Sequence, residues 1–127
     1  MTALDDARVE TQFEPSTDAW IPVCALDELI VGRGVAALVG SSQVAVFRLS
    51  AGDEPDLRAV DNIDPFGRAA VMSRGLVGER NGVPTLASPL LKQVFSLDTG
   101  ICLDDETHAL RTYPVRVIDG VVEVCGP

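Results

Sequence analysis

The chain carries one histidine, His108, and three cysteines, Cys24, Cys102 and Cys125, in 127 residues. A single imidazole cannot build a site that needs two. A structural zinc site takes four Cys or His ligands and a catalytic one takes three ordered protein ligands. Three widely spaced cysteines are an odd number and form no disulfide framework. A nucleophilic cysteine, Ser88 or Ser96 would each need His108 as its base, and no flank reads G-x-S-x-G, so a nucleophilic hydrolase is excluded. Cations are also scarce: Lys92 is the only lysine, and 10 basic against 19 acidic side chains leave a net charge of −9. Such a surface repels phosphate backbones and anionic lipid, which argues against nucleic-acid and membrane partners. No run approaches the roughly 18 apolar residues of a spanning helix. The start, residues 1–8, lacks both the basic and the apolar region of a secretion signal. The expected compartment is the cytoplasm, with reduced thiols.

What is present is ordinary for a globular domain: 46% apolar and 23% charged residues. The length suits one domain that needs neither metal nor disulfide to fold. Residues 1–18 hold five acids and one base beside Pro15, Ser16 and Thr17. They read as a flexible acidic tail, with a docking arm as the alternative. Order begins at Trp20–Cys24, a β-type run, followed by one helical turn in Ala25–Ile30. Val35–Val39 and Gln43–Arg48 flank a turn at Gly40–Ser42. A polar turn cluster at 51–56 leads to a strand at Leu57–Val60. Residues 61–82 are rich in Gly and Asx and read as one irregular functional loop. Thr112–Ile118 and Val121–Cys125 are joined by Asp119-Gly120, the strongest short hairpin signal. Ser88–Leu97 is ambiguous: it fits a loop feeding a strand at Gln93–Leu97, but Ser88 and Pro89 suit a helix start, and local rules alone slightly favour the helix. Many short strands with frequent turns imply an all-β fold, a small antiparallel sandwich or barrel.

Several constellations reduce to structure. Gly32-Arg-Gly-Val-Ala-Ala37 matches a dinucleotide fingerprint, but a strand and not a helix is expected after it. His108 with Cys102, Asp104, Asp105 and Glu106 reads as a solvated acidic loop, because the ligand count is too low for zinc and the spacing wrong for calcium. Cys24 and Cys125 read as small core residues. Asp61 and Asp64 could work as an acid/base pair, and organising the local turn is the favoured role.

Two stretches resemble the cluster loops of Rieske ferredoxin-like domains. Those loops run N-x-C-P-H-x-G-A and C-P-x-H-G-x-x-F-x-x-x-T-G. Here they read Asn62-Ile-Asp-Pro-Phe-Gly-Arg-Ala69 and Ser88-Pro-Leu-Leu-Lys-Gln-Val-Phe-Ser-Leu-Asp-Thr-Gly100. Asn62, Pro65, Ala69, Pro89, Phe95, Thr99 and Gly100 keep the frame, and the likeness spans about residues 19–126. The departures fall on the ligands, where Asp64, Phe66, Ser88 and Leu91 replace Cys, His, Cys and His. A Rieske centre needs two thiolates and two imidazoles, so the expectation is that this chain binds no cofactor and no metal.

A Rieske-like domain without ligands resembles the small subunits of assimilatory NAD(P)H-dependent nitrite reductases. Trp20–Cys24, Asp61–Phe66 and Ser88–Asp104 carry that likeness. The resemblance implies a Rieske-like β-sandwich over 19–127, with a loop subdomain over 59–101. It implies a subunit without catalytic residues of its own, supporting a large catalytic subunit. That partner would carry FAD, sirohaem and an iron–sulfur cluster and reduce nitrite to ammonium. It also favours the loop at Ser88–Lys92 and the strand at Gln93–Leu97 over the helix. The two loops would form one exposed tip, with Phe66, Arg68, Leu90, Leu91 and Lys92 as the partner interface. Phe66 and Leu91 are equally able to fill the vacated space by packing. The rival readings are a Rieske-type electron carrier and a stand-alone β-domain that binds another protein.

Overall fold

The computed structural model describes residues 20–52 and 54–127; the tail expected at 1–18 lies outside them. Ten strands run in chain order: β1 Trp20–Ala25, β2 Gly34–Val39, β3 Ser42–Arg48, β4 Leu57–Asp61, β5 Leu76–Arg80, β6 Val83–Ala87, β7 Val94–Ser96, β8 Thr112–Tyr113, β9 Val115–Ile118 and β10 Val121–Cys125. They form three antiparallel sheets ordered β1-β10-β9, β2-β3-β4-β8 and β5-β6-β7. Among the described residues, helical geometry is confined to single 3-10 turns at Leu26–Glu28 and Met72–Arg74. No helix among the described residues is long and apolar enough to cross a membrane.

The middle sheet separates two cores. Side chains of a strand alternate between its faces, and both faces of β3 are covered. Ala45 and Phe47 join one core with Val60, Met72, Leu86, Phe95, Leu97, Cys102 and Leu110. Val44 and Val46 join the other with Leu29, Val39, Ala59, Tyr113, Val122 and Val124. This explains the unbroken apolar run Val44–Phe47, which a one-sided strand would interrupt with polar residues. Burying each large aliphatic or aromatic side chain contributes about 1.5–3 kcal/mol.

Three expectations need correction. Residues 61–82 are not one irregular loop, because they contain β5 and half of the β5–β6 hairpin. Asn81 and Gly82 turn that hairpin at φ 53° and 82°. Asn-Gly accepts positive φ at both turn positions, but β5 buries so little that its own residues carry almost no strand pattern. Thr112–Ile118 is two strands in different sheets: β8 pairs with β4, β9 pairs with β10, and Pro114 separates them. The strand expected at Gln93–Leu97 is shorter, Val94–Ser96, and no helix forms over 88–97. The Asp119-Gly120 hairpin stands as expected, at φ 51° and 78°.

Candidate functional site

Two loops, one after β4 and one after β6, meet at one end of the molecule and repeat one five-residue turn. In the first, the Asp64 N–H donates to the Ala69 carbonyl at 2.9 Å and the Arg68 N–H to the Asp64 carbonyl at 2.7 Å. In the second, the Ser88 N–H donates to the Gln93 carbonyl at 2.9 Å and the Lys92 N–H to the Ser88 carbonyl at 3.1 Å. The leading side chain caps its own turn in both. Asp64 Oδ1 accepts the Phe66 and Gly67 N–H groups at 2.8 and 3.3 Å, and Ser88 Oγ accepts the Leu90 N–H at 3.2 Å. Proline is second in each, pre-setting φ for the turn. The fifth residues, Arg68 and Lys92, both lie in the left-handed region at φ 62° and 64°. A side chain there costs about 1–2 kcal/mol. The loop pattern quoted above has glycine at both places, so Arg68 and Lys92 are two further departures from it, outside the ligand positions.

The two turns are pinned together where the cluster pattern has its cysteines. Ser88 Oγ donates to Asp64 Oδ2 at 2.5 Å, and both residues are buried. Asp64 thus organises its turn, as favoured from sequence, and also ties it to the second loop. Leu90 packs over Gly67, where a Cβ would meet its Cδ1 at 2.6 Å. The two leading residues bond directly to one another, with no gap for iron between them. The other two positions hold the apolar Phe66 and Leu91. These four residues do not fit an iron–sulfur cluster, and no group of three metal-competent side chains is found among the described residues.

Phe66 and Leu91 part company. Phe66 is half-buried, 6.1 Å from the Phe95 ring and stacked on His108 with ring centroids 4.1 Å apart. It fills space. Leu91 is 60% exposed and fills none, and Leu90 beside it is 46% exposed. Arg68 and Lys92 are exposed as well. All five residues of the expected interface therefore share one tip. The Phe66–His108 stack joins residues 42 positions apart, and no local sequence signal announces it.

The remaining candidates are structural. His108 Nδ1 lies 3.3 Å from an Asp105 oxygen. The Thr107 hydroxyl and N–H, and then the His108 ring, hold the exposed Asp105 carboxyl below its usual range. Asp61 is not paired with Asp64. Its Oδ1 accepts the Tyr113 O–H at 2.6 Å and its Oδ2 the Arg111 N–H at 2.9 Å, bracing β8 against β4. Burial, and then this bond, push the Tyr113 phenol up. An open cleft of about 410 Å³ beside it is lined by Gln43, Asp61, Ile63, Arg111 and Tyr113. Cys102 and Cys125 are buried, and burial followed by Glu28 pushes the Cys24 thiol up, away from the reactive thiolate. Gly34 opens β2, a strand, so the glycine motif is a turn and not a nucleotide site.

Comparison with known proteins agrees with this geometry. The family model described as a Rieske-like [2Fe-2S] domain matches residues 19–125. The nitrite reductase (NADH) small subunit of Salmonella typhimurium is 46% identical over 107 residues, covering 84% of this chain and 97% of that one. A Mycobacterium tuberculosis protein assigned as an NADH-dependent nitrite reductase small subunit has a crystal structure similar at a TM-score of 0.79 and 50% identity, covering 85% of this chain and 95% of that one. The nitrite reductase [NAD(P)H] large subunit of Klebsiella oxytoca contains a stretch 39% identical over 115 residues, covering 89% of this chain and 12% of that protein.

Proposed function

The chain belongs to the Rieske-like [2Fe-2S] domain family and, within it, to the nitrite reductase small subunits, and from that membership we propose that it serves an NAD(P)H-dependent nitrite reductase as the subunit that holds no redox group. The observation that carries this reading is the identity of 46% across the whole domain. The hydrogen-bonded Asp64–Ser88 pair at the cluster position supports the second half of it. Its partner is the large subunit. There FAD, sirohaem and an iron–sulfur cluster would carry electrons from the nicotinamide to nitrite and release ammonium. This chain contributes shape and charge to that assembly. The one hydroxyl–imidazole contact among the described residues, Thr107 Oγ1 to His108 Nδ1 at 3.1 Å, lies on an exposed acidic loop where the same hydroxyl donates to Asp105. Three free thiols suit the reducing cytoplasm, where we place it.

The tip is the surface we assign to that partner. Leu90 and Leu91 are exposed apolar side chains on the second turn, which four bonds hold to itself and to the first turn. A pre-ordered apolar tip loses little entropy on docking.

Two measurements test the reading. Tagged full-length chain is expected to retain the flavin- and sirohaem-containing large subunit, whereas Leu90→Asp, with an unchanged melting temperature, releases it. The isolated chain is expected to be colourless and free of iron. A [2Fe–2S] spectrum would restore the electron-carrier reading, and failure to retain the large subunit would leave the stand-alone domain.

A further inference from the structure

Arg68 and Lys92 occupy equivalent corners of two equivalent turns, and both hold the left-handed backbone that glycine would hold without strain. No ion pair links either cation to another described residue, and both are exposed. The chain carries nearly two acids for every base, yet the only exposed charges on Asp64–Arg68 and Ser88–Lys92 are these two cations, since Asp64 is buried and bonded to Ser88. Left-handed strain at a non-glycine residue persists where something else selects the side chain. Among the described residues, neither side chain repays that strain by pairing, and neither is buried.

We propose that Arg68 and Lys92 are specificity residues of the docking tip, and that the surface receiving it on the large subunit is an apolar patch flanked by carboxylates, one facing each cation. This deepens the assignment of the tip as the partner surface and rests on it. A positive tip on a negative protein orients the encounter: the rest of the surface is repelled by the same carboxylates that attract the tip. Leu90 packs over Gly67, the neighbour of Arg68, and Leu91 precedes Lys92, so each cation adjoins an exposed leucine. That arrangement fixes the rotation of the docked domain as well as its position.

The test uses the full chain and the holo large subunit, with affinity read at low and high salt. Arg68→Gly/Lys92→Gly and Arg68→Asn/Lys92→Asn remove charge while keeping residues that tolerate positive φ. Both pairs are expected to melt no lower than the parent chain. Both should bind at least about ten-fold more weakly at low salt and lose most of the salt dependence, because rim charges act through screened attraction. Arg68→Lys is expected to retain affinity. Parent-like binding by both double variants at low salt overturns the proposal, and so does a melting temperature that falls together with affinity. If Leu90→Asp also binds like the parent chain, the tip assignment itself fails. If Leu90→Asp weakens binding and the cation variants do not, only the acidic complement fails.

Discussion

Ser88 donates its hydroxyl proton to a carboxylate oxygen that has no other partner among the described residues. Removing that donor leaves a buried charge half-satisfied, the costly direction of a hydrogen-bond deletion. Ser88→Ala is expected to lower unfolding free energy by about 1–3 kcal/mol, read as a lower urea midpoint at an unchanged slope. Asp64→Asn keeps an acceptor for the Phe66 N–H and should cost less than Asp64→Ala. Equal losses for the two would mean that the bonds from the Phe66 and Gly67 N–H groups to this side chain carry nothing. The Tyr113 phenol predicts a pH effect. Its pKa is raised in the folded state by burial and then by Asp61. The folded state therefore favours the protonated phenol, and the stability this contributes is fully present below the unfolded value near 10. It is lost as pH rises through the raised folded value. Tyr113→Phe should remove that alkaline step while lowering stability at neutral pH. An identical alkaline decline in parent and variant would assign the step elsewhere. At this scale Asp64 was legible from sequence as a turn organiser, while its bond to Ser88 was not, because 24 residues separate them.

Among the elements, turns decide what the strands alone leave open. Gly100 sits at φ 81°, and a Cβ there would lie 2.0 Å from the Leu110 carbonyl oxygen. Neither the backbone angle nor the space admits alanine. Gly100→Ala is expected to destabilise by more than about 3 kcal/mol, or to prevent folding, a size reserved for strain and overpacking. Gly67→Ala meets only the far end of Leu90. It should leave the melting temperature nearly unchanged while displacing Leu90 and weakening association with the large subunit. A large fall in stability would show that Leu90 cannot move. The Asp119-Gly120 turn was readable because dense β-branched runs flank it. Asn81-Gly82 carries the same signal, but Leu76–Arg80 is mostly exposed and lacks the apolar alternation that would mark it as a strand. The helix suggested at Ser88–Pro89 loses for a tertiary reason. The Ser88 hydroxyl accepts the Leu90 N–H as a helix cap would, but Lys92 turns left-handed at φ 64° and Phe95 is drawn into the core beside Leu86.

For the whole molecule, the position of the ends matters. Trp20 pairs with Cys125 in antiparallel register, so the described domain begins and ends at the same end of the β1-β10-β9 sheet. That sheet packs on the second core, and the tip loops lie over the first. A link at either end therefore leaves the tip free, in keeping with the similar stretch inside the Klebsiella oxytoca large subunit. Joining this chain to its large subunit through a flexible linker should preserve nitrite-dependent NAD(P)H oxidation. It should also rescue a tip variant weakened about ten-fold in free association, because tethering raises the effective concentration to roughly millimolar. A tip variant equally defective when tethered would place its damage in the working complex and not in docking.

From the sequence alone follow the all-β class, the two loops in their frame, and the loss of every cluster ligand. Composition and spacing suffice for these, because chemistry needs particular side chains and turns need particular residues at fixed offsets. Only the tertiary structure decided that the vacated ligand positions close by an Asp64–Ser88 bond, that Phe66 packs while Leu91 stays exposed, and that Arg68 and Lys92 hold matching strained corners. Each of these is a relation between segments distant in the chain or a backbone angle set by such a relation. Local pattern carries no information about either until the strands bring the two loops together.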